Sequence, residues 1–334
     1  MNKREEIRTA DSPRPISNGV KKVVTIGGGT GSYVVLRGLT AFPLDITAIV
    51  SMFDSGGSSG KLRDEFGVLP PGDMRRCLVA LSEGPRAEIL RDLFNHRFEN
   101  KDSLKGHSFG NLFLVALRDI YGSDIEAIRK ASELLDLKGR VLPVSLDRSD
   151  VHAVLEDGTE IEGETNIDVP QFDGNLKISR VSLKPSAKLY EETDQAIRDA
   201  DVVIIGPGDL YTSIVPNLLV EGMAAALSES KAKKVAVCNL MTKWGETHGY
   251  VASDFVKEVL RYSGLKRFDH ILCNTAEMDP ELVAAYEKEK KHPLHCDEGL
   301  SDLGENVVTG DFFSEADIAR HDSEKIAKVI STLS

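Results

Sequence analysis

Apolar residues in this chain fall into short runs that end in glycine, and these runs alternate with segments of helical period. The run KKVVTIG, with its apolar centre at 23–26, is β-branched and closed by glycines. After it come Tyr33, Val34, Leu36 and Leu39 at helical spacing, so the pattern predicts strand, glycine turn, helix. The unit recurs with a buried-type strand over 46–52, then Asp54 and SGGSSG. Helical periodicity follows over 74–81 and in AEILRDLFNHRF, HSFGNLFLVALRDIYG and DIEAIRKASELLDL. Further along, VVIIGPGD, KKVAVCNL and FDHILCN read as strands, separated by the helical stretches NLLVEGMAAALSES and SDFVKEVLRYSG. Strands alternating with helices predict an α/β fold, a mostly parallel sheet with helices on both faces.

Between about 140 and 185 the period changes to two. VHAVLEDGTEIEG and NLKISRVSLKP alternate polar and apolar residues, and Asp157-Gly158 is a dipeptide preferred in a two-residue type I′ hairpin. We expect a β-rich insertion there, within a single α/β domain over 22–334. Residues 1–21, polar and mixed in charge, are expected to form a disordered tail.

Charge narrows the function classes. Lys and Arg total 41 against 53 Asp and Glu, a net charge of −12 over 334 residues. Such a chain has no general attraction for phosphate backbones or anionic lipid, so neither nucleic acid nor a membrane surface is expected as partner. An anionic ligand would be held by local backbone geometry and a few basic residues, which gives the 28 glycines a role. The four cysteines, Cys77, Cys238, Cys273 and Cys296, form no C-x-x-C pair; Cys238 and Cys273 lie in apolar runs and read as free core residues. No apolar leader opens the chain and no apolar run nears 18 residues, which predicts a cytoplasmic, reduced protein.

In an open α/β sheet, ligands bind beyond the carboxyl ends of the strands. Four such loops are rich in small and hydrogen-bonding residues. The first, Gly27 to Ser32, lets backbone approach a phosphate at a helix start, or serves only as a tight turn. As a G-x-G-x-x-G fingerprint it is imperfect, ending in Ser32. The second holds Asp54, placed for a ribose hydroxyl or a divalent cation, then Gly56 to Gly60, an anion nest or a flexible loop, with Lys61 and Arg63 nearby. In the PPGDMRR that follows, Asp73 is expected to cap a helix and Arg75 or Arg76 to reach a phosphate. The third runs from Gly206 to Ser213 ahead of Asn217, and the fourth holds Asn239, Thr242, Glu246, Thr247, His248 and Tyr250. GHSFG matches the G-x-S-x-G nucleophile elbow, but a polar segment precedes it instead of a buried strand. Ser108 is therefore read as a helix cap, with His107 and Asn111 open to a ligand.

Six ordered motifs, GGGTG, D-x-GGSSGKLR, PPGDMR, GHSFGNL, GPGDLYTS and N-x-MT-x-x-GET, resemble the YvcK-type gluconeogenesis-factor family over about 22–290. That family is related to CofD, the 2-phospho-lactate transferase. The resemblance implies a Rossmann-like, CofD-like fold and a UDP-sugar ligand, notably UDP-N-acetylglucosamine. It also implies a role in central carbon metabolism and in cell shape through peptidoglycan precursor supply. By the same resemblance, Gly28, Gly29, Thr30 and Gly31 would line the nucleotide site, and Gly56, Gly57, Ser58 and Ser59 its diphosphate side. His107, Ser108 and Asn111 would line the centre, Gly208, Tyr211, Thr212 and Ser213 the far wall, and Asn239, Thr242 and Tyr250 would close it. Asp54 would hold Mg²⁺ if the protein works as the transferase does. The chain departs from the family's two consecutive acids at Ser55, from GPGS at Asp209, from Asn at Arg76 and from M-T-Q at Lys243.

Three functions are weighed. Binding of a UDP-sugar or other nucleotide diphosphate, without turnover, leads because no general base stands out. A CofD-like Mg²⁺-dependent transfer of a phospholactyl-type group from a guanosine diphosphate donor to a deazaflavin is the alternative. An NAD-dependent oxidoreductase comes last, and a homo-oligomer is compatible with each.

Overall fold

The computed structural model describes residues 19–99, 103–314 and 318–333. The strands are β1 (Lys21–Gly27), β2 (Leu44–Val50), β3 (Arg140–Pro143), β4 (Asp150–Leu155), β5 (Glu160–Glu162), β6 (Ile178–Lys184), β7 (Val202–Ile205), β8 (Lys233–Val237), β9 (Phe268–Asn274) and β10 (Gly304–Gly310). Seven of them form one sheet in the order β10-β9-β8-β7-β1-β2-β3. Every adjacent pair in it is parallel. All four residues of β7 and the last five of β1 are buried, so side chains on both faces of the central sheet are covered.

The chain builds outward from β1 to β3, returns to β7 beside β1, and builds the other way to β10. The switch point therefore lies between β1 and β7, and the crevice it opens is at their carboxyl ends. Helix α1 (Gly29–Leu39) leaves β1. Helices α2 (Gly57–Phe66), α3 (Pro71–Leu81), α4 (Ala87–Asn95), α5 (Phe109–Tyr121) and α6 (Asp124–Leu134) connect β2 to β3. The second half carries α8 (Glu191–Arg198), a π-helical turn Leu210–Ile214, α9 (Val215–Leu218), α10 (Met223–Glu229), α11 (Ala252–Ser263), α12 (Pro280–Glu287) and α13 (Ser323–Thr332), with α7 (Glu164–Asp168) in the insertion.

β5-β4-β6 form a separate antiparallel sheet. Burial alternates strictly along β4, so Val151, Ala153 and Leu155 face the core. Gly158 has φ +91° in the turn between β4 and β5, which supplies the hairpin expected there. The insertion starts at β4, later than the residue 140 expected from the sequence. β3 belongs to the main sheet beside β2, because its apolar residues are consecutive and buried on both faces.

Cys273 and Cys296 are joined in a disulfide, which corrects the expectation of a free Cys273 and of wholly reduced cysteines. Cys296, 23 positions after Cys273, returns to the end of β9, a proximity that spacing alone does not reveal. Cys77 and Cys238 are free and buried. No helix among the described residues is long and apolar enough to cross a membrane. The expected tail falls, up to residue 18, outside the described residues.

Candidate functional site

A cavity of about 510 Å³ opens at the switch point. Its walls are Gly28 to Gly31 at the start of α1, and Ser51, Asp54, Gly56, Gly57, Ser58 and Ser59 after β2. Gly72, Asp73, Arg75 and Arg76 of α3 continue it, with Arg97 and Asn111. The insertion contributes Glu164, Thr165, Asp168 and Val169, and the loop after β7 contributes Gly208, Asp209, Thr212 and Ser213.

Glycines let these walls approach. A Cβ on Gly31 would stand 2.2 Å from the carbonyl oxygen of Pro207, so only glycine lets α1 start against the loop after β7. Helices α1 and α2 are both N-capped by a glycine, Gly28 and Gly56, with no side-chain cap, and their first-turn amides are left for other partners. The stretch after Asp54 is therefore not a flexible loop. It is the first turn of α2, with Ser58 and Ser59 buried in it.

Asp73 does not cap α3. The cap is Pro70, with Pro71 opening the helix, so α3 starts before Asp73 and turns that residue into the cavity. Burial, reinforced by the charge of Asp54 and opposed by Arg76, pushes the Asp73 carboxyl up to about 6. Glu164 is pushed further, to about 8, by burial and by the charges of Asp54 and Asp168.

One wall is a buried polar network. Arg75 is 5% exposed; its Nε donates to Asn111 Oδ1 at 3.1 Å, and a second guanidinium nitrogen donates to Asn95. Asn111 Nδ2 donates to Ser58 Oγ at 3.1 Å, and that hydroxyl meets His107 Nδ1 at 2.9 Å. Burial draws the Arg75 pKa down to about 10, so the group stays charged at neutral pH. Arg75 holds the wall together; Arg76 and Arg97 carry the more open positive charge on the cavity lining. Ser108 caps α5, accepting from the Asn111 amide at 3.3 Å, as its failed elbow context predicts.

The opposite wall is acidic and locked by a lysine. Lys243 Nζ contacts Asp168 and lies 2.7 Å from Asp209 and 3.0 Å from Glu246. Burial works against that ammonium, but the three carboxylates outweigh it and hold its pKa above the ordinary lysine value. Glu246 also accepts the Tyr211 amide at 2.8 Å and the Thr212 hydroxyl at 3.2 Å. The insertion is pinned by Thr165, whose amide donates to Ser55 Oγ at 3.1 Å.

The structure thus brings Gly28, Gly29, Thr30, Gly31, Gly56, Gly57, Ser58, Ser59, Asn111, Gly208, Thr212 and Ser213 together on one cavity, with Asp54 among them. It places His107, Ser108, Tyr211, Asn239, Thr242 and Tyr250 behind that lining. Tyr211 is buried, its hydroxyl 2.9 Å from that of Tyr250 and 3.1 Å from Glu258. Asn239 clamps Gly208, accepting its amide at 2.9 Å and donating to its carbonyl at 2.8 Å. Thr242 Oγ1 accepts the His292 amide at 2.9 Å. Glu164 and Asp168 escaped sequence reasoning because α7 is five residues long, too short to show a period within an alternating segment.

The family model described as 2-phospho-L-lactate transferase CofD matches residues 23–313 of the chain. The chain belongs to the CofD family. Among its CofD-family relatives, the gluconeogenesis factor of Halalkalibacterium halodurans is 45% identical over 313 residues, spanning 93% of this chain and 95% of that protein. The gluconeogenesis factor of Bacillus subtilis is 42% identical over 315 residues, 93% of this chain and 98% of that one. A crystal structure of a Bacillus halodurans protein superposes with a TM-score of 0.88 at 45% identity, covering 93% of this chain and 99% of that chain. The CofD-like α/β fold is therefore shown by sequence and by structure together. The CofD-family motifs read from the sequence converge on the switch-point cavity, or on the residues that brace it.

Proposed function

We propose that the cavity binds a nucleotide diphosphate sugar of the UDP-N-acetylglucosamine type. On this reading the protein is a cytoplasmic, ligand-responsive factor of central carbon metabolism and peptidoglycan precursor supply. The observation that carries it is the convergence of two glycine-capped helix N-termini, those of α1 and α2, with Arg76 and Arg97 on one cavity. Backbone amides at helix starts supply positive potential that a chain of net charge −12 lacks elsewhere. The gluconeogenesis-factor name of the relatives supports the metabolic role.

A second reading, Mg²⁺-dependent group transfer as in CofD, rests on the acidic side of the same cavity. Asp54 and Glu164 offer hard oxygen donors; burial first, and then the charges of Asp54 and Asp168, raise the Glu164 pKa, and a divalent cation would relieve the repulsive part. These two residues would hold Mg²⁺, which would supply charge neutralisation to a diphosphate. Asp54 already accepts the Gly56 amide at 2.8 Å, which fixes its carboxylate toward the start of α2.

Thermal-shift measurements with UDP-N-acetylglucosamine, GDP with Mg²⁺, and NAD separate the readings. A ligand at 100 times its Kd adds about 2.7 kcal/mol of stability. Stabilisation by UDP-N-acetylglucosamine is the expected result. Stabilisation by GDP only with Mg²⁺, lost in Asp54→Ala, and none by UDP-sugars, would establish the transferase reading instead.

A further inference from the structure

The first turn of α1 opens on the cavity, yet an anion of the protein already stands at it. The Asp73 carboxylate lies so close to Gly28 that a Cβ on that glycine would be 2.3 Å from Oδ2, and the Gly29 amide donates toward it. The groups around this carboxylate are those of an oxyanion site. Arg76 Nη1 is 3.4 Å from Asp73 Oδ1. The same guanidinium and the Ser213 hydroxyl lie 3.6 and 3.8 Å from the position a Cβ on Gly29 would take.

Ser51 adds an independent observation. It is 3% exposed, it lines the cavity beside Gly28, and its Oγ is buried without a hydrogen-bond partner. A buried hydroxyl left unpaired carries a desolvation cost that a ligand oxygen would remove.

We propose that Asp73 is an internal stand-in for a ligand phosphoryl group, holding the α1 N-terminal subsite until that group displaces it. The phosphoryl oxygens then take the Gly29 amide, Arg76, Ser213 and the unpaired Ser51 hydroxyl. Asp73 thereby sets a threshold on anion affinity, since each ligand must evict a carboxylate already in favourable contact. Burial, and the like charge of Asp54, set part of that contact against the carboxylate, which limits the threshold. The inference deepens the nucleotide diphosphate reading and rests on it for the ligand's class.

The test is isothermal titration of the full chain with inorganic pyrophosphate, at fixed salt and without divalent metal. Asp73→Asn should bind roughly tenfold tighter than the native chain, the scale of a charge at a helix terminus. Adding Ser51→Ala to Asp73→Asn should weaken binding by about threefold or more, the loss of one hydrogen bond. Equal or weaker binding by Asp73→Asn overturns the proposal. Should Asp73→Asn not fold, as circular dichroism would show, Ser51→Ala in the native chain must weaken pyrophosphate binding, and unchanged affinity overturns the proposal. UDP-N-acetylglucosamine separates the two conclusions. If it fails to bind while pyrophosphate is tightened by Asp73→Asn, the nucleotide-sugar reading falls alone. If it binds and Asp73→Asn weakens both ligands, this inference falls alone.

Discussion

Lys243 and Asp209 stand 2.7 Å apart, although 34 positions separate them along the chain. The two side chains complement each other in charge, and Lys243 extends the contact to Glu246 and to Asp168 of the insertion. A polar contact at the acidic wall of the cavity thus joins three segments that are far apart in sequence.

Removing one side of this contact should be costly. Lys243→Met strands Glu246, whose side chain is wholly buried, and should destabilise the chain by about 3–5 kcal/mol. Asp209→Ser with Lys243→Gln should cost less than the sum of the single changes, with a coupling of roughly 0.5–3 kcal/mol. Urea denaturation of the native chain, Lys243→Met, the two single changes and the double change measures both.

Gly31→Ala should test the close approach of α1 to the loop after β7. Its Cβ would meet the Pro207 carbonyl at 2.2 Å, a backbone atom that cannot swing aside. A loss of about 1–3 kcal/mol or more is expected, as for an overpacked core. Gly208→Ala, where the nearest atom is Ser213 Cβ at 3.4 Å, should cost clearly less. Equal losses in thermal melts would sink the argument.

Tyr211→Phe discriminates lining from bracing. The hydroxyl bonds Tyr250 and Glu258 behind the cavity, so its removal should lower stability by about 1 kcal/mol and change ligand affinity less than twofold. A tenfold loss of UDP-N-acetylglucosamine affinity without loss of stability would place Tyr211 in contact with ligand.

His321 gives a pH dependence. Burial draws its pKa down to about 4, from an ordinary value near 6.5. Between those values the unfolded chain binds the proton and the folded chain does not. This residue's contribution is therefore complete above about pH 6.5 and is lost as pH falls toward 4. Stability of His321→Gln should fall less steeply than that of the native chain over this window. Parallel curves by urea denaturation would rule the contribution out.

By itself the sequence determined the alternation of strands and helices, the glycine turns at β1, β2 and β7, and the hairpin at Asp157-Gly158. These are local patterns of period and turn chemistry, and they read directly. It also determined which motifs belong together, since six ordered motifs carry the family resemblance. Only the tertiary structure decided which of those residues face the cavity. Tyr211 and Thr212 are adjacent in GPGDLYTS, yet one braces the protein behind the cavity and the other lines it, because neighbouring side chains on a helical turn point to different sides. Proximity across the chain was likewise illegible: Glu164 and Asp168 arrive from the insertion, Lys243 finds Asp209, and Cys296 returns to Cys273. Such pairs are set by packing and by topology, which no local pattern records. The start of α3 at Pro71 shows both levels at once, since Pro71-Gly72-Asp73 is plain in the sequence but only the helix start turns Asp73 from a cap into a carboxylate at α1.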